Sequence, residues 1–230
     1  MTTGATEQRT MTLNMGPQHP STHGVLRLIL ELDGEIVVKV TPDLGYLHRG
    51  IGKIAESLRY EQFVPYTDRL DYLAATINNL GYVQGVEKLM EIEAPDRARY
   101  LRVLFCELAR IESHLIWLGT HILDLGATTP LFYCFREREA IRDLFEEVCG
   151  ARMTHAYMRI GGVRQDIPTG FLQKVREFTR TFPARMEQYE TLITRNPIFL
   201  RRARGVGVIS AEKAVQFGLS GLGHFFATTP

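Results

Sequence analysis

Val25-Leu26-Arg27-Leu28-Ile29-Leu30-Glu31-Leu32-Asp33-Gly34-Glu35-Ile36-Val37-Val38-Lys39-Val40 separates this chain from an all-helical one. Two apolar, β-branched-rich runs flank Asp33-Gly34, a dipeptide suited to a tight hairpin turn. Upstream, Met11 to Met15 reads as a further short strand. Residues 11–42 are therefore predicted to form a small antiparallel sheet, behind a polar tail at 1–10.

Gly16-Pro17-Gln18-His19-Pro20-Ser21-Thr22-His23-Gly24 joins the first two strands. Proline and glycine impose a stiff, unusual backbone path. Histidine is the side chain whose ordinary pKa lets it move protons near neutrality. A lone histidine is more often a structural hydrogen-bonding group, but the proline frame singles out His19 and His23 as a pair. The prolines forbid a helix there, so zinc ligation by histidines one helical turn apart does not apply.

Downstream the pattern turns helical. Tyr46 to Phe63 is a first candidate, weakened at its start by Gly50 and Gly52 and interrupted by Pro65. Thr67 or Asp68 is a potential cap for a second helix running to about Met90, with Asp71 in its first turn. Pro95 and Asp96 open the strongest helix. In it Leu101, Leu104, Phe105, Leu108, Ile111, Leu115, Leu118 and Ile122 recur at spacings of three and four, ending near Gly126. Leu131 to Val148 is a fourth helix, closed by Gly150, and residues 159–166 read as a loop. Gly170 to Thr194 is a fifth helix that Pro183 should kink or split. Ser210 caps a short last one ending at Gly218. The chain thus divides into a helical bundle at 43–200, the start of a further part at 201–221, and an end at 222–230. The fold class is α+β, a small sheet followed by a helical bundle.

Composition narrows the function. The 230 residues carry 27 basic and 26 acidic side chains, a net charge of +1, so no global field draws nucleic acid. Three scattered cysteines and no CxxC pair argue against a thiolate metal site and suit a reducing compartment. The polar N-terminus lacks a signal-peptide pattern, and no apolar run reaches spanning length. Any service to a membrane is expected from its surface. Gly205-Val206-Gly207 lacks the third glycine of a dinucleotide fingerprint. Arg201-Arg202-Ala203-Arg204 reads as solvated surface.

Two further clusters carry chemistry. Thr67-Asp68-Arg69-Leu70-Asp71-Tyr72 reads first as capping with a local ion pair, while Tyr72 has a hydroxyl to offer a pocket. His114, His121 and Asp124 lie on the strongest helix. The two histidines are roughly 10 Å apart along its axis, too far for one metal held by that helix alone. Asp124 opposes the macrodipole at the helix end and needs a partner cation or imidazole.

Taken together, these segments resemble one family. Gly16-Pro17-Gln18-His19-Pro20, Thr22-His23-Gly24-Val25-Leu26-Arg27, Leu47-His48-Arg49-Gly50 and Asp68-Arg69-Leu70-Asp71-Tyr72 come first. Arg102-Val103-Leu104-Phe105, Leu123-Asp124-Leu125-Gly126-Ala127, Gly150-Ala151-Arg152-Met153 and Gly161-Gly162-Val163 follow in order. The set resembles the 49 kDa subunit family of respiratory complex I, NADH:quinone oxidoreductase, over roughly residues 11–221. That family is related to the large subunit of nickel-iron hydrogenases, whose fold the resemblance implies here. The nickel-holding CxxC pairs are missing, so the resemblance implies a quinone cavity in place of a metal site.

By resemblance, His23, Tyr72 and Asp124 are the catalytic set. His19, His23 and Tyr72 would bind quinone, with His19 auxiliary. Asp124 would orient His23 and favour its protonated form. Arg69 would tune a terminal [4Fe-4S] cluster held by a small neighbouring subunit. The chain itself would bind no cofactor; NADH and FMN would belong to other subunits. The implied setting is a peripheral arm on the cytoplasmic side of the bacterial inner membrane, against the membrane arm, in a proton-translocating enzyme.

The chain departs from the family in two places. Family members often carry histidine directly after Gly-Ala-Arg-Met, whereas here Thr154 stands there and His155 follows. Beyond Gly221 the sequence diverges and stops, which reads as a truncation that would leave the isolated chain inactive. The competing readings are a non-catalytic scaffold that docks the cluster-bearing subunit, and a hydrogenase-type large subunit that would hold nickel.

Overall fold

A computed structural model describes residues 10–18 and 24–219. The chain is α+β and divides into two compact units, residues 1–59 and 60–230.

The first unit holds a three-stranded antiparallel sheet of β1 (Met11–Met15), β2 (Arg27–Asp33) and β3 (Ile36–Asp43), in the order β1-β2-β3. Asp33-Gly34 makes the expected hairpin, although β2 starts two residues after Val25 and β3 runs on to Asp43. Glu31 pairs with Lys39 but Leu32 pairs with Val37, so Val38 is the extra residue of a bulge. Leu30 and Leu32 are buried, whereas Ile36, Val37, Val38 and Val40 are exposed. Arg27 stitches the sheet end: its guanidinium donates to Asp43 (3.0 Å), Tyr46 (2.9 Å) and Asn14 (3.0 Å). The helix expected from Tyr46 to Phe63 is instead two, α1 (Ile51–Ala55) in this unit and α2 (Tyr60–Thr67) in the next.

The second unit contains α2, α3 (Ala75–Met90), α4 (Asp96–Asp124), α5 (Thr129–Cys149), β4 (Met158–Arg159), β5 (Gly162–Val163) and α6 (Phe171–Tyr189). A π-helical turn at Glu190–Thr194, α7 (Pro197–Ala203) and α8 (Ala211–Gln216) follow. The central helix is α4, as its period predicts. Its inward stripe buries Leu101, Phe105, Leu108, Leu115 and Ile122. Phe105 is the hub, with ring centroids 4.4 Å from Tyr157, 5.4 Å from Phe145 and 5.6 Å from Phe171. Cys106 on α4 and Cys134 and Cys149 on α5 are buried as free thiols.

The prolines behave differently from expectation. Pro65 lies inside α2, which continues to Thr67, and Pro183 lies inside an unbroken α6. Each is exposed, as is the residue four before it, Glu61 or Thr179, so the carbonyl left without a helical donor belongs to a residue on the solvent side, where water can serve it. The wider turn begins only at Glu190. Residues 159–166, expected as a loop, include a two-residue ladder pairing Met158 with Val163 and Arg159 with Gly162. The basic run gives no sign of α7, but the start of that helix is legible in sequence. Asn196 accepts from Ile198 N (2.9 Å) and Phe199 N (3.4 Å) just before a proline at the first helical position. Ser210 caps α8 as expected, accepting from Lys213 N at 3.2 Å.

Candidate functional site

His19 and His23 lie outside the described residues. The chain leaves β1 through Gly16, where φ is 90° and an added Cβ would collide with the Leu26 carbonyl oxygen. Only glycine allows this close approach of its backbone to that of Leu26 and Arg27.

Arg69 and Tyr72 share one turn, residues 68–74, between α2 and α3. Helix α3 starts at Ala75, so neither Thr67 nor Asp68 caps it, and Asp71 stands before its first turn. Asp71 instead shapes the turn. Its carboxylate accepts from Leu73 N (3.2 Å), and its carbonyl accepts from Ala74 N (3.0 Å) and from Asn78 Nδ2 (2.8 Å). Tyr72 is 57% exposed, and its hydroxyl has no partner among the described residues. Arg69 donates to the Pro65 carbonyl (2.6 Å) and lies 3.4 Å from Asp68, confirming the local ion pair.

Asp68 is fully buried. Its Oδ2 accepts from the Ala156 backbone N–H at 2.9 Å, tying the Tyr72 turn to the segment that follows α5. Burial pushes its carboxyl above the ordinary range, against the pull of Asn79, Ala156 and the Arg69 and Arg159 cations. Sequence alone makes Asp68 a surface capping residue and misses this role.

The other family segments are structural. Arg102, on the inward face of α4, makes a buried two-pronged pair with Glu87 of α3 at 2.5 and 3.0 Å. It also donates to the carbonyls of Arg159 (2.9 Å) and Gly162 (2.9 Å), and Glu87 accepts from Gly161 N (2.7 Å). This pair holds the β4–β5 hairpin against the helices. Burial alone would raise the Glu87 carboxyl; hydrogen bonds from Arg102 and Gly161 hold it below its ordinary value. Arg152 of the Gly-Ala-Arg-Met segment binds Glu139, Asp143 (3.0 Å) and Glu146 (3.2 Å) along α5. His155 is buried, stacks on Phe145 at 4.1 Å and bonds the Arg152 carbonyl at 3.2 Å, and burial lowers its pKa to about 4. It is a neutral core histidine at pH 7. The signal for Arg102 is present in sequence, since it falls on the inward face of α4.

Asp124 is the last residue of α4 and is exposed. Beyond it Gly126 N donates to the Leu123 carbonyl (2.8 Å) and Ala127 N to the Ile122 carbonyl (3.0 Å), the paired bonds of a Schellman ending. His121, one turn earlier, stacks on Trp117 at 5.7 Å. Tyr72 and Asp124 thus stand on different elements of one unit. Among the described residues no group of three or more His, Cys, Asp or Glu side chains is arranged to hold a metal. Burial pushes the thiols of Cys106 and Cys134 to about 11 and that of Cys149 to about 12, far from the thiolate a metal needs.

Comparison with known proteins adds a second line of evidence. Residues 124–224 match the family described as the respiratory-chain NADH dehydrogenase, 49 Kd subunit. The D-type subunit of the NADH-quinone oxidoreductase of Geotalea uraniireducens (strain Rf4) is 59% identical over 211 residues, which cover 92% of this chain and 54% of that protein. Its counterpart in Citrifermentans bemidjiense (strain ATCC BAA-1014 / DSM 16622 / JCM 12645 / Bem) is 58% identical over 92% of this chain and 54% of that protein. The counterpart in Bacillus mycoides (strain KBAB4) is 56% identical over 92% of this chain and 58% of its own length. The chain spans about half the length of the curated relatives it matches.

Proposed function

The chain belongs to the 49 kDa subunit family of respiratory-chain NADH dehydrogenase, and from that membership we propose that it lines the site where an NADH:quinone oxidoreductase reduces quinone. The observation that carries the reading is the 56–59% identity to NADH-quinone oxidoreductase subunits across 92% of the chain. Tyr72 and Asp124 are both exposed, so each side chain is accessible to a ligand.

Quinone reduction to quinol takes two electrons and two protons. A hydrogen-bond donor at each carbonyl oxygen stabilises the charge that develops there. In this reading His23 and Tyr72 are the donors, His19 assists, and Asp124 orients His23 and favours its charged form. The electrons come from a [4Fe-4S] cluster in a small partner subunit, whose potential the Arg69 cation tunes. NADH and FMN are handled by other subunits. No helix among the described residues is long and apolar enough to cross a membrane. The proposed setting is peripheral, on the cytoplasmic side of the bacterial inner membrane against the membrane arm, within a proton-translocating enzyme.

A second reading, a non-catalytic chain that docks the cluster-bearing subunit, draws on the exposed apolar side chains Leu70, Trp117 and Phe132. It predicts co-purification with that subunit and no quinone binding. The deciding experiment is Tyr72→Phe in the assembled oxidoreductase. Quinone turnover should fall at least about tenfold, while NADH oxidation by an artificial acceptor is unchanged. Unaltered quinone turnover removes Tyr72 from the chemistry and favours the docking reading.

A further inference from the structure

The basic run Arg201-Arg202-Ala203-Arg204 reads as solvated surface in sequence, but one of its members does not behave that way. Helix α7 brings Arg202 across to the C-terminal end of α4, where its Nη1 donates to the Leu125 carbonyl. The two residues are 77 apart in sequence, so the contact is tertiary. Leu125 immediately follows Asp124.

The local backbone explains why a cation belongs there. The last carbonyls of a helix have no intrahelical donor. The Schellman bonds from Gly126 and Ala127 satisfy Leu123 and Ile122 and leave Leu125 to another donor, which Arg202 supplies. A cation at this end also interacts favourably with the negative pole of the helix. Gly126 is fitted to the arrangement: φ is 91°, and an added Cβ would stand 2.5 Å from Arg202 Nη1. Asp124 is the residue immediately before the carbonyl that Arg202 binds.

We propose that Arg202 is a positioning residue for Asp124. It fixes the end of α4, and so the backbone from which the carboxylate projects, without touching substrate. The role rests on the quinone-site reading for its catalytic consequence but not for its structural one. No covalent or redox step is assigned to it.

Two measurements test the proposal. In the chain itself, amide hydrogen exchange at Gly126 and Ala127 should accelerate about tenfold in Arg202→Ala. Arg202→Lys should restore most of the protection, and amides in the middle of α4 should be unmoved. In the assembled oxidoreductase, Arg202→Ala should shift the pH profile of quinone turnover in the same direction as Asp124→Asn, with rescue by Arg202→Lys. Native exchange at Gly126 and Ala127 in Arg202→Ala overturns the proposal, as does lost protection with a quinone pH profile that only Asp124→Asn moves. If Asp124→Asn itself leaves quinone turnover untouched, the quinone-site reading fails, and the exchange arm alone decides whether Arg202 sets the helix end.

Discussion

The sheet unit and the helical unit hold themselves together in different ways. The sheet buries Leu30 and Leu32 and leaves the apolar residues of β3 exposed. Its order rests on ladder hydrogen bonds and on surface pairs such as Arg27–Asp43 and Lys39–Glu31. The helical unit is built around Phe105, with Phe145, Tyr157 and Phe171 packed on it at zero or near-zero exposure. Buried ion pairs, Glu87–Arg102 between α3 and α4 and Glu112 with Arg138 and Arg142 between α4 and α5, lock its helices to one another. Of the proposed site residues that are described, Tyr72 and Asp124 both belong to the densely packed unit.

The largest expected effect is at the hub. Phe105→Ala should cost roughly 3–5 kcal/mol, read as a lowered denaturation midpoint of the helical signal. A loss below about 1 kcal/mol would mean that the packing around Phe105 is not what holds this unit.

Next comes pH. His155 has a folded pKa of about 4 against an ordinary 6.5. Between these values the unfolded chain takes up a proton that the folded chain refuses. The stability His155 contributes is therefore complete above about pH 6.5 and is lost as pH falls toward 4. The loss is roughly 3 kcal/mol. Asp68 and Glu112, whose carboxyls burial raises, act in the opposite sense over acidic pH. The difference between the native chain and His155→Phe isolates the histidine: the variant should lose the slope between pH 6.5 and 4. Equal slopes in both proteins would place the titrating group elsewhere.

The smallest effect belongs to the sheet. Lys39→Ala breaks an exposed cross-strand pair and should cost only about 0.5 kcal/mol. Thermal melts at low and high salt check it, and a loss several times larger would make the sheet more dependent on its surface charges than its exposure implies.

Much of this architecture is legible in the sequence, for reasons that differ between elements. The heptad-like spacing from Leu101 to Ile122 defines α4, because one helix buries one stripe. Asp33-Gly34 defines the hairpin, because its turn chemistry is local. Asp68 escapes a local reading because its role depends on Ala156, 88 residues away, which no nearby pattern reports. Arg202 escapes it for the same reason. Pro65 and Pro183 sit inside helices because the carbonyls they leave unpaired are on the wet side, a property of packing. The grouping of Tyr72 and Asp124 comes from family resemblance, since spacing alone never joins a turn after α2 to the end of α4.

The three cysteines have a practical consequence. Each is sealed in a helix of the densely packed unit, and burial pushes its thiol pKa to about 11 or 12. At neutral pH an alkylating reagent therefore finds no reactive thiolate on the folded unit. Labelling must wait for the helices to part, and its rate becomes a clock for that opening. Cys106 lies on α4, and Cys134 and Cys149 lie near the start and at the end of α5. The order in which mass is gained would report which part of the interface between the two helices breathes first, with no probe introduced by mutation.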